Sequence, residues 1–136
     1  MLSKKSQYAF KALVYLTEHA SEGPVLISEI SEKKNIPLKF LENILLELRK
    51  AGILESKKGK GGGYYFAIDP RNVSLAQVMR LIDGPIALLP CVSLNFYEKC
   101  KDCDETNCGL NRMMVQVRDA TLKVLEHQTV ADLCAK

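Results

Sequence analysis

The sequence predicts a mostly α-helical fold with one small β-hairpin and a long C-terminal helix. Three observations support this prediction. Apolar residues recur at helical spacing in several segments, the segment KKGKGGG separates two short strand-like runs, and residues 109–127 continue an apolar stripe for about five helical turns. The chain has 136 residues, of which 47% are hydrophobic and 26% charged, so its size and composition fit one globular domain with an extension.

Two helices are predicted at the start of the chain. Residues 4–20 follow Ser3, a suitable N-cap, and a shorter helix over residues 25–34 precedes Asn35, which can take the left-handed conformation that ends a helix. The inward-facing residues would be Ala9, Ala12, Leu13, Leu16 and Ala20 in the first helix and Leu26 and Ile30 in the second. Their helical spacing gives each helix one apolar face.

The third helix has the clearest pattern, in the segment LKFLENILLELRKAG. Its apolar stripe is formed by Leu41, Ile44, Leu45 and Leu48. Pro37 suits the start of this helix, Arg49 and Lys50 lie where the helix dipole favours cations, and Gly52 follows as the stop. Two helices joined by a tight turn predict a helix-turn-helix.

Two short strands are predicted next, at about 53–56 and 64–68, with KKGKGGG between them. This segment does not match the phosphate-binding pattern G-x-x-x-x-G-K-[ST], so a nucleotide site is not expected. As a simple turn it would carry solvated lysines. Because it follows a helix-turn-helix, we favour a wing in which glycine lets the backbone approach DNA while Lys57, Lys58 and Lys60 neutralise phosphates.

A fourth helix is predicted in VSLAQVMRLIDGP, where Ser74 and Gln77 form a capping pair and Gly84-Pro85 end the helix. Its apolar positions are Leu75, Val78, Leu81 and Ile82. The last helix, over residues 109–127, has apolar positions at Leu110, Met113, Met114, Val117, Ala120, Val124 and Leu125. We expect a second copy of the chain to cover this stripe, since most soluble oligomers are symmetric homo-oligomers. The alternative is that the helix packs on its own domain.

These elements divide the chain into three parts. They are a winged helix-turn-helix domain at 1–84, a linker with a cysteine-rich loop at 85–108, and a dimerisation helix with a C-terminal tail at 109–136. The net charge is +3, but residues 1–66 carry 11 Lys and Arg against 7 Asp and Glu, whereas residues 67–136 carry 8 against 9. The first part is therefore the expected contact for a polyanion such as DNA.

The start of the third helix, PLKFLEN, would enter the major groove of DNA. The candidate contacts around the buried Leu41 are Lys39, Phe40, Glu42 and Asn43. Lysine can bind guanine or phosphate, asparagine can pair with adenine, and glutamate can accept from cytosine. In the alternative interpretation Phe40 belongs to the core and the polar residues form a solvated face. Lys4 and Lys5 either contact phosphates or belong to the ordinary surface.

Four cysteines follow the spacing C-x8-C-x2-C-x4-C, at Cys91, Cys100, Cys103 and Cys108. No run approaches the ~20 apolar residues of a membrane span, and no signal peptide is visible, so we expect a cytoplasmic protein without a membrane partner. Structural disulfides are rare in that compartment. Spacing alone leaves zinc and an iron–sulfur cluster level, with free thiols behind them.

No catalytic constellation is present, because the sequence lacks a nucleophile elbow and an H-E-x-x-H motif, and both histidines lie outside any catalytic signature. We therefore do not expect an enzyme. Apart from a DNA-binding regulator, the remaining alternative is a small metal- or electron-handling module whose helix-turn-helix is merely structural.

Taken together, five features resemble the bacterial winged-helix transcriptional regulators typified by IscR, NsrR and CymR. They are YAFKALVYL, FLENILLELRKAGIL, KGKGGGY, VSLAQVMRLIDGP and the cysteine segment before a long helix, in family order over nearly the whole chain. The resemblance implies a homodimeric DNA-binding regulator, and we expect a repressor. It also implies that Glu42 reads bases, that Lys58 is a basic wing residue, and that Cys91, Cys103 and Cys108 are the family's three cysteines.

Two positions depart from the cluster-binding members of this group. Gln7 stands where some members have an acidic ligand, and Asn111 stands where others have histidine. Cys100 is additional to the family set, so it is the simplest fourth ligand. The resemblance thus implies an iron–sulfur cluster on four cysteines, either [2Fe–2S] or [4Fe–4S], with zinc or no metal as alternatives.

Overall fold

A computed structural model describes residues 2–101 and 104–134 of the chain. The helices and strands are α1 (Lys4–Glu18), α2 (Ile27–Lys34), α3 (Leu38–Lys50), β1 (Leu54–Lys57), β2 (Gly63–Phe66), α4 (Leu75–Ile82) and α5 (Gly109–Leu125). The two strands pair in an antiparallel hairpin directly after the α2–α3 pair. This order confirms the predicted winged helix-turn-helix fold and its long last helix. No helix among the described residues combines the length and apolar character needed to cross a membrane.

The helix ends follow local capping chemistry. The Ser3 hydroxyl accepts a hydrogen bond from the Ser6 backbone N–H at 3.0 Å, and the Ser74 hydroxyl accepts one from Gln77 N–H at 3.1 Å. These bonds satisfy backbone donors that a first helical turn leaves without partners. Asn35 ends α2 with φ 55° and ψ 49°, the left-handed conformation expected from the sequence.

The core lies where α1 packs against α3 and α4, with α2 closing one side of α3. Its side chains are fully or almost fully buried: Leu13, Leu16, Ile30, Leu41, Ile44, Leu45, Leu48, Ile53, Leu54, Val73 and Val78. Burying one such side chain contributes about 1.5–3 kcal/mol, so the inward stripe of α3 fixes this helix firmly. The opposite face of α3 is left for other contacts.

The hairpin is tied to the segment before α2. β1 and β2 pair from Leu54 with Phe66 to Lys57 with Gly63. Val25 then adds a short antiparallel bridge to Tyr64, with N···O distances of 2.9 and 2.8 Å in the two directions. A Cβ atom at Gly63 would lie 2.3 Å from the Val25 carbonyl oxygen, so only glycine permits this close approach.

Two of the predicted inward-facing residues lie on the surface instead. Leu26 is 55% exposed, because the neighbouring Val25 enters the core through its bridge to Tyr64 and α2 begins only at Ile27. Ala20 is exposed in a short 3₁₀ turn, because α1 ends at Glu18.

The segment after α5 returns to the first domain. Residues Val130–Leu133 form a 3₁₀ turn that packs on α1, and the Val130 side chain is completely buried in the core. Its backbone N–H donates to the Val73 carbonyl at 2.9 Å, while Leu75 N–H donates to the Gln128 carbonyl at 3.0 Å. The end of the described chain therefore completes the domain that its beginning forms.

Candidate nucleic-acid interface and cysteine site

The outward face of α3 presents all four side chains predicted to contact DNA. Lys39, Phe40, Glu42 and Asn43 are exposed, whereas Leu41 between them is completely buried. Phe40 is 40% exposed, so the interpretation of this ring as a core residue is wrong. The first turns of α3 thus carry cationic, aromatic, anionic and amide groups on one accessible surface.

An aromatic and cationic group, which we call the Tyr8 cluster (Lys4, Tyr8, Lys11 and Phe40), joins α1 to the start of α3. The Tyr8 and Phe40 rings meet edge to face, with centroids 5.5 Å apart and planes at 81°. Lys4 Nζ lies 5.4 Å and Lys11 Nζ 6.0 Å from the Tyr8 centroid, within the range of cation–π attraction. Sequence reasoning missed Tyr8 and Lys11, although their i, i+3 spacing to each other and the i, i+4 spacing of Lys4 to Tyr8 indicate a shared helix face.

Lys5 has a different setting from Lys4. Its Nζ lies 2.7 Å from Glu47 Oε1 on α3, and both side chains are about one-third exposed. This ion pair links the two helices at the surface, where such pairs contribute at most about 1 kcal/mol. The predicted phosphate contact of Lys5 would have to compete with Glu47.

The tip of the hairpin carries the three predicted wing lysines. Lys57, Lys58 and Lys60 are all exposed, and none of them forms an ion pair with another described residue. Gly59 and Gly61 turn the chain between the strands with φ values of 89° and 75°. The tip is thus an accessible basic loop on a hairpin that is anchored at its base.

Asn111 brings two of the predicted metal ligands together. Cys91 lies in the 3₁₀ turn Pro90–Val92, and Cys108 is the N-cap of α5. The Asn111 amide Nδ2 donates to Cys91 Sγ at 3.3 Å, and the Asn111 backbone N–H donates to Cys108 Sγ at 3.4 Å. We call this pair of contacts the Asn111 bridge. Both thiols are partly exposed.

The other two predicted ligands are Cys100 and Cys103. Cys100 is partly exposed, and Cys103 lies outside the described residues. Over 2–101 and 104–134, no three His, Cys, Asp or Glu side chains come together as a metal site. The donor chemistry nevertheless fits a soft metal centre, because thiolates are the ligands of iron–sulfur clusters and of structural zinc.

Two further contacts fasten the cysteine segment. Arg118 Nη1, on α5, donates to the Val92 carbonyl at 2.9 Å, next to Cys91. The Tyr97 hydroxyl donates to Glu105 at 2.6 Å. This hydrogen bond is the main reason that the pKa of Tyr97 is raised, with smaller contributions from burial and from the charges of Glu105 and Cys91. Arg118 and Asn111 therefore hold the turn that contains Cys91 against α5.

Gln7 takes no part in these contacts among the described residues. Its amide donates to the Leu2 carbonyl at 3.1 Å, within the start of α1. The Gln7 side chain therefore contacts the backbone just before α1.

The apolar stripe of α5 is largely uncovered. Leu110, Met113, Val117 and Val124 are 58%, 54%, 40% and 57% exposed. Only Leu122 of this helix is buried. The helix contacts the rest of its chain through other side chains such as Leu122 and Arg118. The expected dimer and the alternative that α5 packs on its own domain both stay predictions.

Comparison with known proteins identifies the family to which the chain belongs. A family model described as Rrf2, iron-dependent transcriptional regulator, matches residues 2–136. The rrf2-like HTH-type transcriptional regulator of Rhodobacter capsulatus is 41% identical over 139 residues, which cover 99% of this chain and 93% of that protein.

Two solved structures share the fold. The structure of CymR, the global cysteine regulator of B. subtilis, has a TM-score of 0.80 at 26% identity, covering 98% of this chain and 95% of that one. T. potens IscR has a TM-score of 0.76 at 28% identity, covering 98% and 85%. The family model and these relatives are those of transcriptional regulators, which confirms the expectation of a DNA-binding regulator rather than an enzyme. The chain belongs to the Rrf2 family of transcriptional regulators.

Proposed function

We propose that this chain is a cytoplasmic, homodimeric repressor that reads operator DNA with α3 and contacts the flanking backbone with its hairpin. We further propose that an iron–sulfur cluster on the cysteine segment controls its affinity for DNA. The observation that carries the first part is the outward face of α3, whose polar side chains are exposed above a fully buried apolar stripe.

Base reading follows from the chemistry of this face. One α3 helix from each subunit would enter the major groove, with half-sites about one helical turn or a multiple apart. Glu42 and Asn43 would bind base edges, while Phe40, held by its edge contact with Tyr8, would pack on a thymine methyl group. Lys4 and Lys11 would place positive charge beside this contact, where the phosphate backbone passes.

Selection of bound duplexes from a random DNA pool, followed by gel retardation, tests this assignment. Glu42→Ala is expected to relax the base preference at one position by about 1–3 kcal/mol, the usual discrimination of one specific contact. Glu32→Ala on α2 is the matched control, since Glu32 is also exposed but lies outside the proposed interface. If no duplex is retained even at low salt, the DNA-binding proposal is wrong.

The homodimer rests on the uncovered stripe of α5. Side chains at Leu110, Met113, Val117 and Val124 share one helix face and expose 40–58% of their surface in the single chain. A second copy of α5 would remove this apolar surface from water, which is the main favourable term in most protein association.

Sedimentation of two variants tests the dimer. Met113→Glu would bury an unpaired charge in the interface, so we expect it to shift the protein toward monomer. Gln116→Glu adds the same charge to α5 outside the stripe and should leave the dimer intact. A Met113→Glu protein that sediments as the wild type does would contradict an interface on this face.

The cluster proposal rests on donor chemistry and on the Asn111 bridge. Cys91, Cys100, Cys103 and Cys108 would hold the cluster, which when bound supplies a redox- and nitric-oxide-sensitive change in charge and in the constraints on the loop. The cluster can change DNA affinity only as far as it stabilises one conformation of the dimer, DNA-binding or non-binding, more than the other.

A second candidate is the same regulator with structural zinc or redox-active thiols and no cluster. It is supported by the Asn111 bridge, which contacts the thiols of both Cys91 and Cys108, because two such thiols can bind zinc or act as a redox pair. Anaerobic purification, a visible absorption spectrum, and iron, sulfide and zinc assays separate the two candidates. A colourless protein with one zinc per chain would exclude the cluster. If a cluster is present, Cys100→Ser should destabilise it, and an unchanged cluster would assign the fourth ligand elsewhere.

A further inference from the structure

We infer that Asn111 is a positioning residue that sets Cys91 and Cys108 as a chelating pair without itself being a ligand. This inference deepens the proposed cysteine site and rests on it. The observation is that one residue donates two hydrogen bonds to two sulfur atoms, one from its side chain and one from its backbone.

The backbone contact fixes the direction of Cys108. An N-cap side chain usually accepts a hydrogen bond from the first helical turn through an oxygen of Ser, Thr, Asp or Asn. Here Cys108 takes that role, and its Sγ accepts the Asn111 backbone N–H at 3.4 Å. The Cys108 thiol is thereby turned toward the N-terminus of α5.

The side-chain contact brings in a thiol from a distant part of the chain. Cys91 precedes Asn111 by 20 positions, yet the Asn111 amide lies 3.3 Å from its Sγ. Its two flanking residues do not hold this sulfur: Val92 is fixed through its carbonyl by Arg118, and Pro90 through its carbonyl by Glu98 N–H at 3.1 Å. Among the described residues, the Asn111 amide is thus the side chain seen to direct the Cys91 sulfur toward α5.

Nearby polar groups are already engaged and are poor substitutes for Asn111. The Asn107 amide donates to Asp104 at 2.7 Å, and the Thr106 hydroxyl donates to the same carboxylate at 2.6 Å. The hydroxyl of Tyr97 donates to Glu105. Loss of the Asn111 amide would therefore leave Cys91 without a replacement donor among these residues.

The test uses the metal-free, full-length chain with Cys100, Cys103 and Cys134 changed to Ser, so that Cys91 and Cys108 are the only thiols. Its probe is phenylarsine oxide, a trivalent arsenical that forms two As–S bonds with a pair of adjacent thiols and releases one water. Asn111→Ala and Asn111→Asp are compared with Gln116→Ala, which removes an amide from an exposed position of the same helix. Thermal unfolding of each variant reports whether the fold is retained.

We expect both Asn111 variants to bind the arsenical about tenfold more weakly, the effect of losing one hydrogen bond that positions Cys91, while Gln116→Ala binds as the parent does. Asp keeps the shape of Asn but cannot donate, so it separates donation from packing. Unchanged arsenical affinity in Asn111→Asp and Asn111→Ala would overturn the inference. Because the probe acts on metal-free protein, a wild-type chain that proves colourless would refute the cluster and leave this result standing.

Discussion

Gly63 is the position where one added methyl group is expected to do the most damage to the hairpin. In Gly63→Ala, the new Cβ would lie 2.3 Å from the Val25 carbonyl oxygen, on a backbone with φ 141° that L-residues rarely adopt. Something must move, and the nearest atoms are backbone atoms of Val25 and Leu26 rather than a flexible side chain. The bridge between Val25 and Tyr64 is expected to break.

The size of the effect follows from two contributions. Breaking the bridge removes two backbone hydrogen bonds of 2.9 and 2.8 Å, each worth about 0.5–1.5 kcal/mol net. The positive φ adds about 1–3 kcal/mol of backbone strain. The sum is about 2–6 kcal/mol, a large part of the ~5–15 kcal/mol by which domains are stable. Gly61→Ala is the matched control, because Gly61 has φ 75° but no atom within 4 Å of its Cβ, and it should cost about 1 kcal/mol.

Urea unfolding followed by circular dichroism measures the difference. With a slope of roughly 1–2 kcal/mol per molar, the midpoint should fall by on the order of 2 M for Gly63→Ala and by less than about 1 M for Gly61→Ala. DNA affinity should fall with Gly63→Ala even where the protein remains folded, because the wing loses its anchor. Equal midpoints for the two variants would refute the reasoning, since they share the positive φ and differ in the close approach.

Three other predictions concern separate parts of the molecule. Lys58→Ala should weaken binding to specific and non-specific duplexes alike. In titrations at several salt concentrations, the slope of log binding constant against log salt concentration should become about one unit shallower. Val130→Ala should lower the free energy of unfolding by about 2 kcal/mol, whereas Leu133→Ala, whose side chain is 42% exposed in the same turn, should have a small effect; equal losses would contradict the packing of this turn. A hydrogen bond to Glu29 raises the pKa of Tyr15 from 10.0 to about 12, so its contribution to stability is present below pH 10 and lost as the pH rises to 12; Tyr15→Phe should flatten this alkaline loss in pH-dependent unfolding.

The elements that could be predicted from sequence are those whose causes are local. Ser3, Asn35 and Ser74 act on backbone groups within a few residues, so their capping roles are visible in the sequence. The same holds for the stripe of α3, whose periodicity and buried face coincide. A helix boundary differs from the prediction where a residue pairs with a distant part of the chain. The second helix was predicted to begin at Val25, but Val25 forms a bridge with Tyr64 and the helix begins at Ile27.

The parts of the site that escaped prediction depend on contacts between distant segments. Tyr8 lies on α1 and meets Phe40 on α3, so its place beside the candidate interface follows from helix packing. The Asn111 amide contacts Cys91 from 20 positions away, and spacing alone does not specify such a contact. Sequence did single out Asn111 as a departure from related chains, but as a missing ligand rather than as a hydrogen-bond donor.

The burial of Val130 has a consequence for how the chain is made. The domain that we propose reads DNA begins with the first helix, yet its core is completed by a residue that follows α5. During synthesis from the N-terminus, the hairpin and α3 leave the ribosome well before Val130 does. The core of this domain can therefore be completed only after the cysteine segment and α5 have been translated. A nascent chain that ends before Val130 would lack one buried side chain of this core. Because of this order, the core of the domain is completed only when the cysteine segment and α5, the proposed control and dimerisation elements, are already part of the chain.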